Sequence, residues 1–138
     1  MPALLNERDL RFLLYECLDT EALLQRPRYA EHSREVFDAT LDAARRMAEE
    51  RFEPHNAKGD ANEPVFDGQS TRVIPEVHAA WKAFAAGGFF SAHWDAADGG
   101  LQMPEVVLRA ALCYFKAANA STSAYPFLSI GAANLLRS

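Results

Sequence analysis

Five hydroxyl-bearing side chains, Ser121, Thr122, Ser123, Tyr125 and Ser129, sit close together in a stretch without charge. Residues 117–136 contain no Asp, Glu, Lys or Arg, and Lys116 and Arg137 close the stretch at its two ends. Beside the hydroxyls stand Phe127, Leu128 and Ile130, with Pro126 in the middle. Hydroxyl and apolar groups interleaved in this way suit a wall against an apolar ligand that carries a few polar atoms. As nucleophiles the hydroxyls need a base, and no histidine or carboxylate lies near them in the sequence. The four histidines, His32, His55, His78 and His93, recur at intervals of 23, 23 and 15 residues. That is no metal-ligand spacing, and no Cys-x-x-Cys accompanies them. Solvated or capping histidines are the expectation. The run Asp60-Ala61-Asn62 resembles the start of a calcium loop, but Val65 stands where that loop needs glycine. Gly87-Gly88 and Gly99-Gly100 fit helix stops or turns, and neither belongs to a phosphate-binding pattern. These residues nominate no catalytic group and no metal ligand.

Composition narrows the partners. The net charge of −5 opposes nucleic acid, because phosphate contacts need clustered Lys and Arg. No basic amphipathic segment points to a membrane surface, and MPALLNERDL lacks the basic-then-apolar order of a secretion signal. Cys17 and Cys113 are too few and too far apart for a disulfide framework, so a cytoplasmic compartment with reduced thiols is expected. A chain of 138 residues, 49% of them hydrophobic, is one domain's worth with a real core.

The elements that must position the hydroxyl stretch read as helices. Residues 7–19 carry Leu10, Leu13, Leu14, Cys17 and Leu18 at helical spacing behind Asn6, a suitable N-cap. A short turn at 21–25 stops before Pro27. A helix over about 33–51 follows, with Val36, Phe37, Leu41, Ala44, Met47 and Ala48 as its apolar face and Pro54 as its end. Residues 55–71 form a polar, turn-rich connection. Pro75 fits the first turn of a helix with Val77, Trp81 and Phe84 on one stripe, ended by Gly87-Gly88. Residues 89–101 read as buried and irregular. Over 103–119 the polar residues Glu105, Arg109, Lys116 and Asn119 line one narrow stripe, which makes that helix central to its bundle. The charge-free stretch supplies a last helix, about 121–136. No strand alternation persists, so the expected fold is all-α, a bundle of about five helices.

The stretch 117–136 admits three readings. A membrane span needs about 20 apolar residues, and Asn119, Ser121, Thr122, Ser123, Ser129 and Asn134 make this one too polar. A core helix rich in small residues is the second. The third is a ligand wall: Pro126 cannot donate to the Thr122 carbonyl, and a bend there would open a slot beside a packed helix. Composition does not separate the last two.

From Ser33 onward the order of features resembles the amino-terminal helical domain of the FAD-dependent acyl-CoA dehydrogenases. The residues that carry the resemblance begin with Ala48-Glu49-Glu50-Arg51-Phe52-Glu53-Pro54-His55-Asn56 and then Gly59-Asp60. They continue with Trp81-Lys82-Ala83-Phe84-Ala85-Ala86-Gly87-Gly88-Phe89 and Gly99-Gly100-Leu101. After a long helix comes Ala124-Tyr125-Pro126-Phe127-Leu128-Ser129-Ile130-Gly131-Ala132-Ala133. The head, Asp9-Leu10-Arg11-Phe12-Leu13-Leu14-Tyr15-Glu16, is similar to the added amino-terminal helix of the branch that includes methylthiopropanoyl-CoA dehydrogenase. The resemblance covers nearly the whole chain. Before Gly99-Gly100 the family commonly has a Pro-Glu-Glu-Tyr-like run, whereas this chain has Trp94-Asp95-Ala96-Ala97-Asp98.

The resemblance implies an extension over 1–30 and a helical domain over 31–138. It also implies a middle β-domain and a carboxy-terminal helical domain that this chain lacks, which would make the chain a truncated product or a designed fragment. It implies that the parent removes hydrogens from the α and β carbons of an acyl-CoA. FAD would lie between the two missing domains, an electron-transfer acceptor would take the electrons, and the subunit would belong to a homo-oligomer. On this chain the resemblance assigns Ser121, Thr122, Tyr125, Pro126 and Ser129 to the wall of the acyl pocket. Tyr125 would shorten the slot and favour a short or branched acyl group. The runner-up expectation is a non-catalytic helical module whose same face docks a partner helix.

Overall fold

The structure, a computed structural model, describes residues 3–137; the expected chain end at Ser138 lies outside them. Among the described residues the fold is all-α, six α-helices with one strand pair of two residues each. Asn6 opens it. Its side chain accepts from the Arg8 and Asp9 amides at 3.1 and 3.3 Å, and α1 (Glu7–Arg11) follows. The backbone then widens into a π turn over Phe12–Cys17 and tightens into 3-10 turns over Thr20–Gln25 and Pro27–Tyr29. The change of pitch spreads the apolar positions around the axis. Leu14 is buried, while Leu13, Cys17 and Leu18, expected on the same stripe, are exposed.

Ser33 caps α2 (Arg34–Met47), its Oγ accepting from the Val36 amide at 3.3 Å. Pro54 does not end the helical path as expected. The chain runs through a π turn (Ala48–Phe52) and a 3-10 turn (Glu53–His55) into α3 (Asn56–Ala61), the helix beyond the five. Pro54 occupies the first turn of the 3-10 segment, where its missing N–H is not needed. The rest of the expected loop contains a hairpin. There β1 (Val65–Phe66) pairs antiparallel with β2 (Thr71–Arg72), Val65 opposite Arg72 and Phe66 opposite Thr71. Asp67 Oδ1 accepts from the Gln69 and Ser70 amides at 3.0 and 2.9 Å, and Gly68 takes a φ of 97° to close the turn.

The helix α4 (Pro75–Ala86) starts on its proline and stops at Gly87-Gly88, as its sequence requires. Residues 89–101 fold as successive turns, and α5 (Glu105–Ala118) then crosses the centre of the molecule. Its wet edge is Glu105, Arg109, Cys113 and Lys116. Asn119, expected on that edge, is buried because the chain turns there between α5 and α6 (Ala120–Arg137). Pro126 lies inside α6 and within the core, at under 2% exposure. At the centre, the Phe115 ring stands edge-on to Phe52, Phe84 and Phe89, with centroids 4.9, 5.0 and 5.2 Å away. Such ring packing beneath α6 fixes the scaffold on which its side chains are displayed.

Candidate functional site

Helical geometry divides the five expected wall residues. Thr122 and Pro126 point into the core with Ser123 and Ile130. Ser121, Tyr125 and Ser129, each one turn from the next, are exposed with Ala124, Leu128 and Ala132. Two of the five meet other elements at a groove of about 330 Å³, where Tyr125 and Ser129 face Val77, His78 and Trp81 of α4, with Thr71 and Val73 at the rim. Trp81 had been expected on an apolar stripe with Phe84. Only Phe84 is buried, and Trp81 stays 41% exposed, its ring 5.2 Å from that of Phe90. Tyr125 is equally exposed.

The groove holds no carboxylate, lysine or arginine. It offers two large aromatic surfaces, an imidazole and the hydroxyls of Thr71, Tyr125 and Ser129. The Ser129 hydroxyl donates to the Tyr125 carbonyl at 3.0 Å, so toward the groove it presents an acceptor. Such a lining can hold an apolar or flat group and meet a few polar atoms at its edge.

The inner residues do something different. Thr122 Oγ1 is 2.9 Å from His55 Nε2, and both residues are buried. A hydroxyl paired with an imidazole is the start of a nucleophile and base arrangement, yet neither group is open to a substrate. Here the pair fastens α6 to the turn before α3. Burial pushes His55 below the ordinary histidine value. Asn119 completes the fastening. Its Oδ1 accepts from the Thr122 amide at 2.9 Å and from Ser121 Oγ at 3.0 Å, while Nδ2 donates to the Phe52 carbonyl at 3.1 Å. It thereby caps α6 and satisfies the carbonyl of the last residue of the π turn. Sequence reasoning missed His55 because it stands 67 positions from Thr122.

The other histidines divide the expectation of solvated or capping rings. Only His78 is exposed. His32 Nε2 donates to the Leu101 and Gln102 carbonyls at 2.8 and 3.1 Å, and His93 Nε2 donates to Asn134 Oδ1 at 2.8 Å. Asn134 also accepts from Trp94 Nε1 at 3.3 Å. Arg137 lies over the Trp94 ring at 4.4 Å and pairs with Asp98, so the far end of α6 is clasped to residues 93–98.

An open trough of about 1000 Å³ is lined by residues of α1 and the following π turn, with Glu21 and Arg34. Several of its polar side chains are paired: Arg11 with Asp38 at 2.6 Å, Arg34 with Glu21 at 3.0 Å, and Tyr15 donating to Asp38 at 2.7 Å. Burial and the Asp38 carboxylate push the Tyr15 phenol upward. Apolar contacts seat the same segment, with Leu14 in the core and Leu4, Leu5, Leu10 and Leu24 packed against it.

Among the described residues, no three His, Cys, Asp or Glu side chains come together as a metal site. No described helix is long and apolar enough to cross a membrane. Cys17 and Cys113 are both free and exposed. In comparison with known proteins, no family model matches this chain, and no curated protein matches it.

Proposed function

We propose that this chain is the acyl-side helical domain of a flavin-dependent acyl-CoA dehydrogenase that converts an acyl-CoA to its trans-2-enoyl-CoA. The observation that carries the reading is the groove between α4 and α6. It is free of carboxylates and cations other than its histidine, it has the volume of a small ligand pocket, and it opens on the charge-free helix. An alkyl chain gains from apolar surface and has nothing to offer a charge. Tyr125 and Trp81 restrict the space, which suits a short or branched acyl group. Thr122 and Pro126 serve the wall from behind by seating α6, and Ser121 supports the cap.

The groove does not fit a flavin. It has neither a glycine-rich backbone cradle nor a cation for a pyrophosphate. On this reading FAD and the base that removes the α-proton belong to the remaining domains of the parent, and this chain alone is inactive. Electrons would leave through an electron-transfer acceptor, and the parent would be a homo-oligomer. The test is to express the entire reading frame that contains this chain and mix it with acyl-CoAs of increasing length. Bleaching of a bound flavin by one of them is the expected result. A frame that ends at Ser138, or a product that never binds flavin, removes the reading.

A second reading has its own observation. Leu128, Leu135 and Leu136 are 73, 76 and 87% exposed along α6, outside the groove. Exposed leucines in a row suit a non-catalytic helical module that docks a partner helix. A stop codon after Ser138 would favour this module.

A further inference from the structure

Uncharged side chains alone fasten the first turn of α6. The His55 ring bonds Thr122 Oγ1 through Nε2 at 2.9 Å. Either neutral tautomer makes this bond, because a hydroxyl both donates and accepts. Adding a second proton to the ring leaves Nε2 able only to donate. It also places a full positive charge beside the first turn of an 18-residue helix, where the backbone dipole is already positive and no acidic side chain stands.

The charged groups around the ring do not cancel this. Glu50 and Arg51 come from the π turn. Glu76 of α4 attracts a proton toward the ring, but it is paired with Lys58 of α3, which repels one. The ring itself is 4% exposed, so water screens little of the charge.

We propose that His55 is an acid-sensitive latch: its protonation releases the first turns of α6, and with them the Tyr125–Ser129 wall of the groove. The latch holds whatever the groove binds. Residue-level amide hydrogen exchange, corrected for its intrinsic pH dependence, tests it on the 138-residue chain. Between about pH 7.5 and pH 5, either side of the ordinary histidine value, protection over residues 120–129 should fall severalfold. Protection over α2 and α5 should change much less, and His55→Gln should show no such loss in α6. Equal protection of α6 at both pH values overturns the latch. So does an acid loss in His55→Gln like that of the native chain, or a uniform loss across all helices. If His55→Gln does not fold, the ring proton signals of native His55 decide: titration below the ordinary histidine value is expected, and titration at or above it overturns the proposal.

Discussion

At its first turn α6 is held by His55, Thr122 and Asn119, all buried and all hydrogen-bonded to neutral partners. At its last turns it is held by Asn134 and Arg137, which reach His93, Trp94 and Asp98 at the molecular edge. The Arg137 and Asp98 side chains are 34 and 51% exposed. One helix is therefore anchored by two chemistries whose strengths differ for a physical reason. A buried polar group that loses its partner bears its full desolvation cost, whereas an exposed ion that loses its partner returns to water. The first end should be strong and sensitive to acid, and the last end weak and sensitive to salt.

The largest expected effect comes from Asn119→Ala. It removes the cap of α6 and orphans the Phe52 carbonyl, for a loss of about 3 kcal/mol in urea unfolding. Thr122→Val keeps the shape and deletes the hydroxyl, which should lower stability by about 1–2 kcal/mol in the same assay. The acid effect follows in sign from the burial of His55. Because its folded value is depressed, the unfolded chain takes up the proton first. The stability it contributes is complete above the unfolded value of about 6.5 and is lost as pH falls through the folded value. The urea midpoint should therefore drop on going from pH 7 toward 5.5, and less so in His55→Gln. A midpoint that rises on acidification contradicts the assignment.

Arg137→Ala should cost less than about 1 kcal/mol, and that cost should shrink with added salt. If it equals the cost of Asn119→Ala, the contrast between the two ends fails. The smallest effect on stability belongs to the outer face. Leu128→Glu should change the unfolding free energy by no more than about 0.5 kcal/mol. Light scattering should nevertheless find the native chain self-associating at high concentration and the variant less so, since Leu128 is 73% exposed beside other apolar groups. A native chain that stays monomeric at high concentration removes that role for the face.

What could be read in advance was local. Asn6 caps α1 through amides two and three residues on, and Pro75 and Gly87-Gly88 bound α4 through their own backbone preferences. The central position of α5 was equally legible, because its few polar residues fall on one edge. In residues 55–71 the reading was poorest. The exposed α3 and the two-residue hairpin bury little, so no apolar period marks them. The groove is half legible: the charge-free stretch points to Tyr125 and Ser129, while the spacing of Trp81 from Val77 and Phe84 puts it on an apolar helix stripe.

From the sequence alone come an all-α chain, its main helices and a hydroxyl-rich helix without charge, because periodicity, capping and composition act within a few residues. Which hydroxyl faces a groove and which is sealed against a histidine was decided by tertiary packing. Thr122 and Tyr125 are three residues apart on one helix, and only the positions of His55 and Trp81 on other elements give them opposite roles.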